Sequence, residues 1–215
     1  RITSYRAKPR KKSHSCVSRS SEVSGPEDSL VAASHRRSTK RLSARHVTPG
    51  DNTVVLSNRQ RTMAVCSKTL KRLFMAAMDA VGMTDSDISL AIVNDKAIAE
   101  LHETWLGIPG STDVLSFDLS STEHAQPSHQ GKRHGIHGEI IASAETASRE
   151  AGVYSWSPEH ELSYYLIHGL LHLVGYDDQT PSERISMRRK ERSVMKAIGL
   201  PAPPRRRPKT TCHQR

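Results

Sequence analysis

Large apolar side chains are sparse over the first fifty residues and fall into regular patterns only beyond Asn52. Thr53-Val-Val-Leu56 is a short β-branched run. After it, Met63, Cys66, Leu70, Leu73, Phe74, Ala77, Met78 and Val81 recur at intervals of three and four. The first pattern predicts a strand and the second an amphipathic helix that Gly82 ends. Ile88, Leu90 and Ile92 alternate with smaller residues as a second strand, and Asn94 or Asp95 can cap a helix running to Trp105. Gly107-Ile-Pro-Gly110 forces a turn, Thr112-Asp-Val-Leu-Ser-Phe117 reads as a third strand, and residues 119 to 137 are polar and aperiodic, as in an exposed loop. Gly138 to Ser143 is a fourth strand leading into a short helix from Ala144. Two longer helices are expected from Pro158 to Val174 and from Pro181 to Ile198, each with proline in its first turn, where the missing N–H costs nothing.

Strands separated by helices predict an α+β fold, a small mixed sheet of about four strands packed with about five helices. The Met and Phe stripe of the first helix reads as core. The ordered domain is expected over residues 51–200, between extensions at 1–50 and 201–215 that are too poor in large apolar side chains to offset the entropy of ordering.

Charge follows the same division. The chain has 215 residues and a formal charge of +10, but residues 1–50 carry 12 Lys and Arg against 3 Asp and Glu, and residues 201–215 carry 5 against none. The domain between them is therefore net acidic, and the basic character belongs to the ends, where it could gather a phosphate backbone. Cys16, Cys66 and Cys212 are odd in number and widely spaced, which argues against a disulfide framework or a thiolate zinc knuckle and fits a reducing cytoplasm. No apolar run is long enough to span a bilayer.

Candidate chemistry concentrates in His168-Gly-Leu-Leu-His172-Leu-Val-Gly-Tyr-Asp177-Asp178. On a helix, His168 and His172 stand one turn apart on one face, with Cβ atoms about 5–6 Å apart, so both imidazoles can meet one metal ion. Gly175 supplies a helix stop, after which the chain can return Asp177 or Asp178 as a third ligand. The order His168, His172, Asp178 keeps the ligand spacing of the extended zinc-protease pattern, but Gly169 stands where a zinc peptidase carries its glutamate base, which argues against a peptidase. His134 and His137 lack a partner spacing and read as solvated loop residues.

The His168 to Asp177 run, preceded by Glu161-Leu-Ser-Tyr-Tyr-Leu-Ile167, resembles the signature of the YbeY family of bacterial metal-dependent endoribonucleases and ribosomal RNA maturation factors. Thr112 to Phe117 resembles a second signature of that family, and Gly138-Glu-Ile140 a third, where the family usually shows Gly-Asp-Ile. The resemblance covers residues 52 to 200. It implies a zincin-like α+β fold, one Zn2+ ion held by three side chains, and action on ribosomal RNA of the small ribosomal subunit in 3′-end maturation and quality control. Carried onto this chain, the ligands are His168, His172 and Asp178, with Asp177 as an alternate ligand or as a group orienting the site from outside.

Two departures from the family pattern bear on the metal centre. Asp178 replaces a histidine, and Leu106 falls where the family carries an arginine facing the metal cleft. Arg184, Arg188, Arg189, Lys190 and Arg192 on the last helix are candidate substitutes for RNA contact, and Trp105 and Trp156 are candidate stacking residues. The alternative is a ribosome-associated assembly factor with a structural metal and little hydrolysis.

Overall fold

A computed structural model describes residues 6–7, 50–120 and 133–204. The elements in order are β1 (Arg6–Ala7), β2 (Thr53–Asn58), α1 (Ser67–Ala80), β3 (Met83–Thr84), β4 (Asp87–Val93), α2 (Asp95–Leu106), β5 (Val114–Asp118), β6 (Arg133–His134), β7 (His137–Ser143), α3 (Ala144–Tyr154), α4 (Pro158–Leu173) and α5 (Pro181–Ala197). The fold is α+β. The main sheet has the order β1-β5-β7-β4-β2, in which β2, β4 and β7 are parallel and β5 runs antiparallel to β7. Every strand and helix expected from the apolar pattern is present.

Three details differ from the expectation. The first helix begins at Ser67, because Gln60 accepts hydrogen bonds from the backbone of Thr62 and Met63 and holds that stretch as a turn. Within the aperiodic 119–137 stretch, β6 pairs with β3, and two-residue strands are too short to show alternation. Of the two extensions, Arg6–Ala7 pair with β5 and residues 201–204 are irregular; the remainder lies outside the described residues.

Alternation sorts the sheet into two faces. Ile88, Leu90, Ile92, Val114, Ile140 and Ala142 join one apolar cluster with α1, α3, α4 and α5, whereas Leu115, Phe117 and Ile141 join a second with Ile98 of α2. Helix α4 lies in the middle of the first layer, over β7 and β5, with neighbours on both sides. Every residue from Glu161 to Leu173 is buried, as expected of a helix apolar nearly all round. Its start and stop are set by sequence. The Ser157 hydroxyl accepts from the His160 N–H, and Gly175, at φ 90°, closes a Schellman motif in which Tyr176 N–H reaches Leu171 O and Gly175 N–H reaches His172 O.

Helices α2 and α3 brace each other through their first turns. Asp95 of α2 accepts from the Ser143 and Thr146 hydroxyls and pairs with Arg149, while Glu145 of α3 accepts from the Asp95 N–H. Burial works against the Asp95 carboxylate, but the three hydrogen bonds and the Arg149 charge outweigh it and hold the group below its ordinary range.

Candidate metal centre

His168 and His172 are both buried, at 1% and 2% exposure, and their Nε2 atoms face each other at 3.1 Å. Two imidazoles sharing a tetrahedral zinc at 2.0–2.1 Å would have their nitrogens about 3.3 Å apart. Each ring is also held from its far side. His168 Nδ1 lies 2.7 Å from Glu191 Oε1, and Glu191 Oε2 accepts from the Tyr164 hydroxyl at 2.9 Å. Donation from Nδ1 to this carboxylate puts the His168 lone pair on Nε2, the atom that faces His172. Burial, and then the neighbouring His168, drives the His172 pKa down to about 4, so this ring is neutral at physiological pH, the form that ligates.

The carboxylates lie past the Schellman turn. Asp178 is half-buried, and burial raises its pKa against the lowering influence of His168. Asp177 is exposed, and its Oδ1 accepts from the Asp178 N–H at 2.7 Å, which fixes the turn. Among the described residues no group of three or more His, Cys, Asp or Glu stands close enough to hold a metal ion. The structure thus brings the two histidines together and leaves Asp178 beside them, outside a completed triad. The histidine pair fits a metal in spacing, and Asp178 lies one short turn away.

The cations of α5 divide by helical phase. Arg184 donates to the carbonyls of Asp178 and Gln179 at 3.0 and 2.7 Å, so it clamps the carboxylate turn. Arg188 is exposed and lies about 60° round the helix from Glu191, flanking the site, whereas Arg189 is about 160° away and points from it. Lys190 is half-buried and Arg192 exposed, each about 100° from Glu191.

Leu106 packs in the second apolar cluster, on the α2 side of the sheet, and so does not face the histidine pair. Trp156 is half-buried, edge-on to His160, and serves packing. His134 and His137 face Asp85 and Asp87 at 3.7 and 3.3 Å on the surface.

Gly169, at the position of a peptidase base, turns toward the sheet. A Cβ there would lie 2.8 Å from Ile140 Cγ2 and 3.3 Å from Val114 Cγ2, so a carboxylate could neither fit nor reach the histidines. Sequence reading passed over two members of the site. Glu191 is the clearer omission, since it interrupts the apolar stripe Met187, Val194, Met195 of α5 and is 2% exposed. Asp113 is the other. It is buried beside His168, burial raises its pKa, and its Oδ1 accepts from Thr112 Oγ1 and from the Val114 N–H.

The family model for Endoribonuclease YbeY matches residues 55–199. This chain belongs to the YbeY family. The YbeY endoribonuclease of Moorella thermoacetica is 38% identical over 136 residues, 61% of this chain and 86% of that protein. That of Nitrobacter winogradskyi is 33% identical over 181 residues, covering 81% and 94%. The solution structure of TM1509 from Thermotoga maritima is similar at a TM-score of 0.44 and 21% identity, covering 67% of this chain and 90% of that one. The YbeY match includes all three segments that carried the resemblance and both histidines. No helix among the described residues is long and apolar enough to cross a membrane.

Proposed function

We propose that this YbeY-family chain is a metal-dependent endoribonuclease that acts on single-stranded ribosomal RNA of the small subunit, in 3′-end maturation and ribosome quality control in the cytoplasm. The observation that carries the reading is the convergence of His168 and His172 at 3.1 Å, with Glu191 fixing the first ring. His168, His172 and Asp178 would hold one Zn2+, with Asp178 closing on the pair from its half-buried turn. Held there, the metal would supply Lewis-acid polarisation of a phosphodiester and acidify a water.

The chain's own residues do the rest. Glu191 and Tyr164 orient His168, the buried walls of α4 exclude bulk water, and Arg184 holds the carboxylate turn in place. Arg188 is placed to meet an RNA phosphate beside the site. With Gly169 packed on the sheet, position 169 offers no general base, and the proton would pass to solvent, substrate or another carboxylate.

A second reading, an assembly factor with a structural metal, draws on Leu106, which places no cation at the histidine pair. Purified protein is assayed for bound metal and for cleavage of ribosomal RNA, beside His172→Ala. Loss of both in the variant supports the nuclease. Metal bound by the parent with cleavage equal to that of the variant supports the assembly factor.

A further inference from the structure

The phase of α4 on the sheet fixes the direction in which its histidines open. Gly169 faces Ile140 of β7 and Val114 of β5, and a Cβ on Gly138 would meet Leu173 of α4 together with Ile88 of β4. Leu173 stands about 40° round the helix from Gly169, toward β4, whereas His172 and His168 stand about 60° and 100° round in the other sense, toward β5. From there His168 reaches across to Glu191 of α5. The histidine pair therefore opens between α5 and the β5 edge of the sheet.

That edge carries β1. Arg6–Ala7 pair in parallel with β5, Arg6 in register with Ser116 and Ala7 with Phe117. Register continues the first row across the sheet, so that Arg6, Ser116, Ile140, Leu90 and Leu56 stand side by side. Ile140 and Leu90 belong to the cluster beneath α4, which makes this a row of the α4 face, and Arg6 takes its outermost position on the histidine flank. Phe117, the neighbour of Ala7, belongs to the opposite face.

The charge around the rings gives that position its meaning. Asp113, Asp177, Asp178 and Glu191 set four carboxyl groups about the pair. Against them Arg184 is held by the carbonyls of its own turn, and Arg188 flanks the site from α5. A phosphodiester brought to the histidines meets this acidic surround, and a cation at the β5 edge would stand across the opening from Arg188.

We infer that β1 is the seat of an RNA-binding arm: its pairing with β5 places Arg6 at the edge of the histidine pocket, where it binds a phosphate of a single-stranded RNA whose backbone passes between Arg6 and Arg188. The inference rests on the RNA-directed reading above but concerns binding, not cleavage. A cation on a free chain end attracts RNA wherever it wanders. One held in a sheet register is already placed when the RNA arrives, so less ordering is paid for on binding.

The test is binding of fluorescent oligouridine to the full chain in excess chelator, followed by anisotropy over about 50–200 mM salt. Arg6→Ala is expected to weaken binding about fivefold and to lower the salt slope by about 0.7, the share of one single-strand phosphate. The decisive variant exchanges the pair, Arg6→Ala with Ala7→Arg. It keeps every charge but moves the cation into the Phe117 row on the opposite face, and it should lose as much as Arg6→Ala. Arg10→Ala, an equal loss of charge nearby in sequence, should change binding less than about twofold. Circular dichroism and the urea midpoint verify that the variants fold. Parent-like binding by the exchanged pair, or equal effects of Arg6→Ala and Arg10→Ala, overturns the inference while leaving the RNA-directed reading in place. So does tighter binding by Arg6→Ala, which would make β1 a plug over the pocket. A parent that binds no oligouridine removes that reading and the inference with it.

Discussion

Glu191 Oε1 lies 2.7 Å from His168 Nδ1, joining two residues 23 apart in sequence inside a pocket where each side chain is 2% exposed. The same carboxylate takes the Tyr164 hydroxyl on its other oxygen. Glu191 thereby ties α5 to the His168 ring of α4.

Glu191→Gln keeps the shape but weakens the hold on the His168 tautomer. Metal affinity, measured by competition with a chromophoric chelator, is expected to fall about 10–100-fold with little change in helical content. Tyr164→Phe removes one hydrogen bond to a buried charge and should cost about 1–2 kcal/mol in urea unfolding.

His172 titrates near 4 when folded and near its ordinary 6.5 when unfolded, because burial, followed by the neighbouring His168, disfavours its cation. Between these values the unfolded chain binds more protons, so this residue's contribution is whole above pH 6.5 and is lost as pH falls toward 4. The loss approaches about 3 kcal/mol. Asp113 and Asp178, raised by burial, work in the opposite direction in acid. The comparison is therefore between parent and His172→Gln, both in excess chelator. The parent should show the steeper decline in unfolding free energy between pH 6.5 and 4, and parallel curves would contradict the assignment.

Gly169→Ala sets a methyl against Ile140 Cγ2 and Val114 Cγ2, the stiff branches of two strand residues beneath α4. A loss of about 1–3 kcal/mol is expected in thermal or urea unfolding. Gly169→Glu, which restores the peptidase pattern in sequence, should fail to accumulate as folded protein, and no casein hydrolysis should appear.

Asp178→His restores the residue that the family pattern usually shows at this point. With a third imidazole in place of an anion the centre gains one positive charge, and RNA cleavage should rise relative to the parent. Asp178→Ala should lower metal occupancy while leaving the fold intact, since the side chain is only half-buried. Equal occupancy in parent and Asp178→Ala would assign the third position to another group.

Much of this arrangement was legible because local rules and tertiary packing agree. Ser157, Pro158 and Gly175 mark both ends of α4 in sequence, and the structure uses each as its chemistry suggests. Glu191 was harder to find. A lone acid among the cations of α5 reads as part of a solvated face, and only its place on the Met187 to Met195 stripe hints that it turns inward. Leu106 could be matched to a position by its neighbours, but which face of the sheet it serves depends on where α2 packs. The clamp that Arg184 makes was not legible, because its carbonyl partners six and five residues earlier come within reach only once the turn is folded.

Helix α4 has no solvent face from Glu161 to Leu173, so almost any substitution along it disturbs packing on one side or another. Freedom to vary the centre is therefore confined to the exposed turn that follows Gly175. One of this chain's departures from its family, Asp178, lies in that turn. The histidines are locked into the architecture, whereas Asp178 can be exchanged without rebuilding the core, which makes its turn the adjustable part of the pocket.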